Sequence, residues 1–136
     1  LNERGIWLLG SLVVMVSLAL IMSAMFSGSE ANQETLVTVQ DQIPVLSFIF
    51  FLLNASVVEE VFYREVLWGV LPQPVVQVLL TSFLFALAHH PSSLFTWVIY
   101  GSLGLILGIV RWQTDCLTST LIHLSWNGIA FLLSLL

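Results

Sequence analysis

The stretch that decides the fold is Gly5–Phe26, GIWLLGSLVVMVSLALIMSAMF, a run of 22 residues without a charged side chain. As an α-helix, with a rise of about 1.5 Å per residue, it would be about 33 Å long and would cross a hydrocarbon core of about 30 Å. A signal peptide is the alternative interpretation, because Arg4 precedes the run and small residues follow it. The apolar part is longer than an ordinary signal core, which favours a membrane helix.

The composition extends this conclusion to the whole chain of 136 residues. Hydrophobic residues make up 58% of the chain and charged residues 8%, whereas soluble domains have about 45–50% and about 25%. A small soluble domain needs many polar side chains to cover its surface, and this chain has too few. The sequence therefore predicts a single domain, residues 1–136, embedded in a membrane and surrounded by lipid.

The charged residues exclude two classes of partner. Eight acidic side chains stand against three arginines, there is no lysine, and the formal net charge is −5. A nucleic-acid-binding protein needs a basic surface to displace phosphate counterions, so no nucleic-acid partner is expected. The same shortage of basic residues excludes a polybasic anchor for lipid headgroups.

Prolines and polar residues divide the chain into five predicted helices. The apolar runs place these helices at about 5–26, 44–70, 75–89, 94–112 and 116–136, and the polar stretch 27–43 is predicted to be an extramembrane loop. We therefore expect an all-α fold, a polytopic transmembrane bundle of about five helices. Such an integral, multi-pass protein would belong to a prokaryotic or organellar membrane.

Two further features predict how the helices are arranged. Gly101, Gly104 and Gly108 share one face of the fourth helix, where they would let a neighbouring backbone approach closely. Arg4 and Arg111 would lie on the same side of the membrane if the first four helices all span it. The positive-inside rule then predicts that this side faces the cytoplasm or its equivalent.

Charged and imidazole side chains inside membrane helices are costly, so each of them is a candidate functional residue. The helices contain three such clusters: Glu59-Glu60-Val61-Phe62-Tyr63-Arg64, Phe85-Ala86-Leu87-Ala88-His89-His90 and His123-Leu124-Ser125-Trp126-Asn127. The estimated depths of Glu59, His89 and His123 differ by about 10 Å. Long side chains and tilted helices can bridge that spread, so the depths are compatible with convergence of the clusters, which the sequence alone does not show.

The spacing within the clusters predicts which side chains meet. Glu60 and Arg64 are four residues apart and would pair across one turn, while Glu59 is rotated by about 100° and faces elsewhere. His123 and Asn127 are also four apart and would point at one place. A polar network that merely holds helices together is the structural alternative, and it is the favoured role for Glu60 and Arg64. Interhelical polar bonds average only about 0.6 kcal/mol, so this alternative explains the full polar set poorly.

These residue types are suited to hydrolysis by an activated water molecule. A carboxylate with a histidine can act as a general base, which contributes about 10²–10⁴-fold to a rate. An asparagine and a second histidine can donate hydrogen bonds to the oxyanion of a tetrahedral intermediate. A serine–histidine triad is not indicated, because Ser125 projects from a different face of its helix than His123.

The three clusters, in this order on successive membrane helices, resemble those of the CAAX protease and bacteriocin-processing family (CPBP or Abi) of intramembrane endopeptidases. The matching motifs are Glu59-Glu60-x-x-x-Arg64, Phe85-x-x-x-His89 and His123-x-x-x-Asn127. One departure is Glu65, which stands where family members often have glycine, and His90 matches no family role.

The resemblance implies a glutamate-type protease without a resident cofactor, acting on membrane-bound peptides or proteins such as lipidated CAAX-type substrates or leader peptides. By motif position, Glu59 would activate water with help from His89. His123 and Asn127 would stabilise the oxyanion. Glu60 and Arg64 would brace the site.

Three other functions stay open at this point. In a metalloprotease variant, Glu59 or Glu60 would bind zinc together with His89 and His123, although no His-Glu-x-x-His spacing supports it. A non-catalytic accessory or immunity subunit would keep the fold and bind another membrane protein within a larger complex. A proton-relay transporter is the least favoured, because five helices without a repeat offer little for alternating access.

Overall fold

The computed structural model describes residues 2–25 and 38–133, and these ranges contain helices and turns but no β-strand. The long helices are α1 (Glu3–Met25), α2 (Val45–Val70), α3 (Pro74–Ala88), α4 (Leu94–Gln113) and α5 (Cys116–Leu133). Helix α2 is regular from Val45 to Val61, π-helical from Phe62 to Val66, and regular again from Leu67 to Val70.

Helices α1, α2, α4 and α5 are each long and apolar enough to cross a membrane. Helix α3 has 15 residues and is therefore about 22 Å long, which is shorter than a hydrocarbon core of about 30 Å. The expected all-α polytopic bundle is confirmed, with four candidate spans in the described ranges where about five were expected. Helix α3 lies at nearly the residues predicted for the third helix, and the difference arises because its 15 residues are too few for a candidate span.

The prediction of a loop over residues 27–43 is wrong for its last part, because residues 38–42 are helical. A polar composition indicates exposure to water but does not prevent helix formation, and glutamines at positions 40 and 42 are good helix formers. Residues 27–37 lie outside the described residues. So do residues 134–136, at the end of the fifth predicted helix.

Helices α3 and α4 approach each other closely at two glycines of α4. A Cβ atom on Gly104 would lie 3.0 Å from the main-chain oxygen of Ser82, and one on Gly108 would lie 3.3 Å from Cγ1 of Val78. Gly101 has no such neighbour within 4 Å. The glycine face predicted for α4 is therefore a packing face at Gly104 and Gly108 and open space at Gly101.

The core lies where α1, α3, α4 and α5 meet. Its most buried members include Met15, Phe85, Leu107 and Ile122, each of which exposes at most 2% of its surface. Other large apolar side chains point outward, as Val70 does with 75% of its surface exposed. An outer surface of this kind suits contact with lipid tails, whereas a soluble domain would be covered by polar groups.

Charged side chains mark one end of the bundle. Arg4, at the start of α1, forms an ion pair with Asp115 in the α4–α5 turn. Arg111, in the last turn of α4, pairs with Glu65 at an Nη2–Oε2 distance of 3.4 Å. The two arginines thus lie at the same end, as the sequence indicated. The assignment of this end to the cytoplasm stays a prediction.

Asp115 also caps the N-terminus of α5. One of its carboxylate oxygens accepts hydrogen bonds from both the main-chain N–H and the hydroxyl of Thr118, each at 2.8 Å. These two bonds, followed by the attraction of Arg4 and Arg111, hold the pKa of Asp115 below its ordinary value. The cap therefore depends on the charged form of the side chain.

The substitution Asp115→Ala should lower the free energy of unfolding by about 1 kcal/mol at pH 7, the usual loss for a missing N-cap. Because the folded-state pKa is lowered, this stabilisation is present above the unfolded-state pKa and is lost as the pH falls through the folded-state value. Thermal unfolding in detergent micelles checks this over a range of acidic pH values. The control is Asp41→Ala, since Asp41 is an exposed acidic residue in helix 38–42. A stability difference between wild type and Asp115→Ala that does not change with pH would contradict the prediction.

Gly104→Ala should destabilise the protein by about 1–3 kcal/mol, the usual cost of overpacking. The added methyl group would meet main-chain atoms of Ser82 at 3.0 and 3.1 Å, and a backbone cannot move aside as a flexible side chain can. Gly101→Ala on the same helix is the matched control, since its methyl group enters open space. Equal melting temperatures for the two variants would refute this account of the α3–α4 contact.

Candidate active site

The motif helix α2 changes its hydrogen-bond pattern at the candidate site. Over Phe62–Val66 it forms a π-turn, in which the N–H of Leu67 bonds to the carbonyl oxygen of Phe62. Arg111 of α4 adds a hydrogen bond from its Nε to the main-chain oxygen of Arg64, at 2.7 Å. Single π-turns inside α-helices are frequently found at functional sites, and this one lies directly after Glu59 and Glu60.

Glu60 and Arg64 form a buried ion pair on this helix, and neither residue exposes any surface. The Nε of Arg64 faces the Oε2 of Glu60 at 3.8 Å, which is attraction between charges without a direct hydrogen bond. The rest of the guanidinium is held by other helices. Its Nη1 donates to the hydroxyl of Thr81 on α3, and its Nη2 donates to the main-chain oxygen of Gly104 on α4, at 2.8 Å.

His123 connects this pair to the second glutamate. Its Nδ1 lies 3.1 Å from the Oε1 of Glu60, and because a carboxylate only accepts hydrogen bonds, Nδ1 is the protonated nitrogen. The Nε2 of the same ring lies 3.9 Å from the Oε2 of Glu59. One imidazole therefore spans the two neighbouring carboxylates, although they leave α2 in different directions.

His89 approaches Glu59 from the other side. Its Nε2 lies 4.0 Å from the Oε2 of Glu59, an oxygen atom that is buried and accepts no hydrogen bond from a protein group. Its Nδ1 lies 2.8 Å from the main-chain oxygen of Phe85 and donates to it. In the neutral ring, the lone pair is therefore on Nε2, which faces Glu59.

Aromatic side chains fix both imidazole rings. His89 stacks on Tyr100 of α4 with the ring centres 4.4 Å apart and also contacts Phe85 at 4.5 Å. His123 meets the edge of Phe85 at 5.6 Å. Phe85 and Tyr100 are buried, so they restrict the rotation of the imidazoles and keep both Nε2 atoms directed at Glu59.

Asn127 lies one turn beyond His123 and has a different partner. Its Nδ2 donates to the Oγ of Ser56 on α2, at 2.7 Å. The two residues line a small groove between α2 and α5, whose other walls are apolar. The structure thus brings Glu59, His89 and His123 together, with Glu60 and Arg64 behind them, and places Asn127 beside them in a separate hydrogen bond.

A comparison with family models identifies the family of this chain. Residues 41–129 match the model described as type II CAAX prenyl endopeptidase Rce1-like. The chain belongs to the Rce1-like family. The match includes every candidate site residue predicted from the sequence, from Glu59 to Asn127, and it confirms the resemblance to the CAAX proteases.

A bacterial relative agrees with the membership in the Rce1-like family. UPF0177 protein YvdC of Lactococcus lactis subsp. lactis is 30% identical over 112 residues, which cover 80% of this chain and 43% of that protein. The chain thus spans less than half the length of this relative. No solved structure matches the chain. The family and the four apolar helices show an integral, multi-pass membrane protein, and the relative fits a prokaryotic origin.

The donor set of this Rce1-like chain fits zinc poorly. Zinc ligands lie about 2.0–2.2 Å from a tetrahedral ion and therefore about 3.3–3.6 Å from one another. The Oε2 of Glu59 is 4.0 and 3.9 Å from the Nε2 atoms of His89 and His123. The Oε1 of Glu60 faces Nδ1 of His123, on the opposite side of that ring. Within residues 2–25 and 38–133, no group of three His, Cys, Asp or Glu side chains is arranged to hold a metal ion.

Four contributors to the site did not emerge from the sequence. They are Ser56, Thr81, Tyr100 and Arg111. Ser56 precedes Glu59 by three residues and Glu60 by four, so helical spacing contained a signal for it. The other three act across the bundle, and spacing within one helix does not reveal such contacts. The hydroxyl of Ser125 bonds to the main-chain oxygen of Leu121, in line with its predicted separate face.

Arg64→Ala should destabilise the protein by about 3–5 kcal/mol, because it leaves the buried carboxylate of Glu60 without its countercharge. The loss should be smaller when Glu60→Gln is already present, since no buried charge then remains to be compensated. Thermal unfolding of the single and double variants in micelles measures this coupling.

The exposed ion pair between Arg4 and Asp115 provides the control for this cycle. The side chain of Arg4 is 60% exposed, so Arg4→Ala should change the stability by less than about 1 kcal/mol. If the effect of Arg64→Ala is the same with Glu60 and with Gln at position 60, charge compensation is not the role of Arg64.

Proposed function

We propose that the protein is an intramembrane endopeptidase that cleaves its substrate with a water molecule activated by Glu59 and His89. The observation that carries the proposal is the position of the Glu59 Oε2 atom between the Nε2 atoms of His89 and His123, at 4.0 and 3.9 Å. These separations are too long for direct hydrogen bonds and suit one water molecule that donates to the Glu59 carboxylate and to the Nε2 of His89, with the His123 ring beside it.

In this mechanism Glu59 takes a proton from the water while the water oxygen attacks the substrate carbonyl carbon. His89 supports the step through Nε2, because its Nδ1 is engaged by the Phe85 carbonyl oxygen. The peptide bond then breaks, the nitrogen of the leaving amine receives the proton, and a new carboxylate remains. Proton transfer by a positioned side chain contributes about 10²–10⁴-fold to the rate.

His123 and Asn127 would stabilise the negative oxygen of the tetrahedral intermediate. The Glu60 carboxylate accepts from Nδ1 of His123, and with both ring nitrogens protonated the imidazole would donate from Nε2 to the oxyanion. Asn127 would donate from its amide nitrogen. Such hydrogen bonds are worth most in a site with few mobile dipoles, and the apolar groove beside Asn127 provides that environment.

The substrate class follows from the family and the surroundings. A site built on membrane helices meets substrates that are themselves membrane-associated, so we propose lipidated CAAX-type peptides first and leader peptides second. Zinc remains an alternative within the proposal, with Glu59 or Glu60, His89 and His123 as ligands. A non-catalytic accessory or immunity subunit of a larger membrane complex is the alternative if the protein cleaves nothing.

Glu59→Gln should lower kcat by about 10²–10⁴-fold, because the carboxamide keeps the shape of the side chain but cannot accept the proton. The assay uses the purified protein in liposomes with a farnesylated CAAX peptide and, separately, a bacteriocin-type leader peptide. Glu65→Gln is the matched control, since its side chain is 60% exposed and lies beyond the cluster. Equal cleavage by wild type and Glu59→Gln would refute the proposal.

Metal analysis of the same samples separates the two chemistries. The glutamate-type mechanism predicts that a chelator leaves cleavage unchanged and that the active protein contains substoichiometric zinc. Stoichiometric zinc, with activity lost to the chelator and restored by the metal, would replace this mechanism with the metalloprotease. Absence of cleavage of either peptide by the wild type, together with co-purification of a membrane partner that survives Glu59→Gln, would favour the accessory subunit.

A further inference from the structure

We infer that Ser56 is a positioning residue of the candidate active site, which holds the side-chain amide of Asn127 with its nitrogen available to the reaction. The inference rests on the proposed function, because the oxyanion role of Asn127 belongs to that proposal. It assigns a role to a residue that lies outside the three polar clusters of the sequence.

The directions of two hydrogen bonds determine the orientation of the amide. The Oγ of Ser56 donates to the main-chain oxygen of Leu52, one turn earlier on α2, at 2.9 Å. A hydroxyl has a single hydrogen, so Oγ only accepts from Asn127. The Nδ2 of Asn127 is the atom that meets it, at 2.7 Å. An amide turned by 180° would place its oxygen against another acceptor.

This arrangement leaves the oxyanion donor free. A primary amide nitrogen has two hydrogens, and the bond to Ser56 uses one of them. The second N–H of Asn127 is then available for the oxygen of a substrate. If Ser56 lost its hydroxyl, the amide would be free to rotate, and part of the population would present its oxygen to a developing negative charge.

The surroundings leave Ser56 as the group that restricts rotation of the Asn127 side-chain amide. Ser56 is fully buried, and the groove beside it is walled by apolar residues such as Leu52, Leu124 and Phe131. These side chains offer the amide no other hydrogen-bond partner. Ser56 and Glu59 are three residues apart on one regular stretch of α2, so a rigid helix sets the position of both the proposed base and the amide.

The experiment compares Ser56→Ala, Ser56→Thr and Asn127→Ala in the liposome assay. Ser56→Ala should lower kcat about tenfold and leave KM unchanged, because the amide acts on the intermediate and not on the bound substrate. Ser56→Thr should restore most of the rate, since its Oγ1 can repeat both hydrogen bonds. In the Asn127→Ala background, Ser56→Ala should have no further effect.

Ser125→Ala is the matched control, because the hydroxyl of Ser125 also bonds to a main-chain oxygen four residues earlier, and within the described part of the chain no side-chain amide donates to it. It should change neither kcat nor KM. An active wild type with an unchanged or higher kcat for Ser56→Ala would overturn the inference and leave the proposed function intact. Additive losses in the double variant would likewise overturn it.

A second measurement does not depend on cleavage. Selective ¹⁵N labelling of asparagine in micelles gives side-chain resonances for four residues, among them Asn127, which Asn127→Ala identifies by the pair that disappears. Ser56→Ala should shift one proton of that pair, and Ser125→Ala should shift neither. If the wild type cleaves nothing, the proposed function fails, and an amide pair unmoved by Ser56→Ala overturns the orientation by Ser56 independently.

Discussion

Glu60 and Arg64 carry opposite charges into a part of the bundle where neither exposes any surface. The transfer of either charge alone from water would cost several kcal/mol, and their mutual attraction offsets that cost only when the remaining polar atoms are also engaged. Thr81, the Gly104 carbonyl oxygen and His123 engage three of these atoms from three other helices. The Oε2 of Glu60 and the Nε of Arg64 face each other at 3.8 Å without a hydrogen bond. The ion pair thus determines how α3, α4 and α5 are placed around α2.

The same pair sets the state of the neighbouring groups. His123 must direct its protonated Nδ1 toward Glu60, so its Nε2 faces Glu59. Glu59 is then enclosed by two imidazole nitrogens without a direct hydrogen bond to either. Neighbouring glutamates on one helix consequently have different surroundings. Glu60 is fully buried beside Arg64 and His123, whereas the side chain of Glu59 is 32% exposed and faces two imidazoles, and the Oε2 atom of each glutamate accepts no hydrogen bond from a described protein group. Such a difference between paired carboxylates is typical of acid–base sites.

The sequence predicted much of this arrangement from simple periodicity. The pairing of Glu60 with Arg64 and the separate direction of Glu59 follow from helical spacing, and the structure has both features. Prolines at both ends predicted the third helix at about 75–89, close to the observed Pro74–Ala88. Its 15 residues are too few for a candidate span, so the bundle has one fewer span than expected. The spacing of His123 and Asn127 predicted that both side chains point at one place. The two residues are neighbours, but His123 bonds to Glu60 and Asn127 bonds to Ser56. Contacts between helices depend on how the helices are rotated relative to each other, and the residue spacing within one helix does not specify that rotation.

Helix α4 shows how such contacts act together. It holds α2 at Gly104, whose carbonyl oxygen accepts from the Arg64 side chain, and at Arg111, whose Nε donates to the Arg64 main chain. These two positions are seven residues apart, on one face of α4 and about 10.5 Å from each other along its axis. Arg111 also pairs with Glu65 and lies over the ring of Trp68. Glu65, which stands where the resembling family often has glycine, therefore joins α4 to the π-turn. The same turn carries Arg64, the countercharge of Glu60.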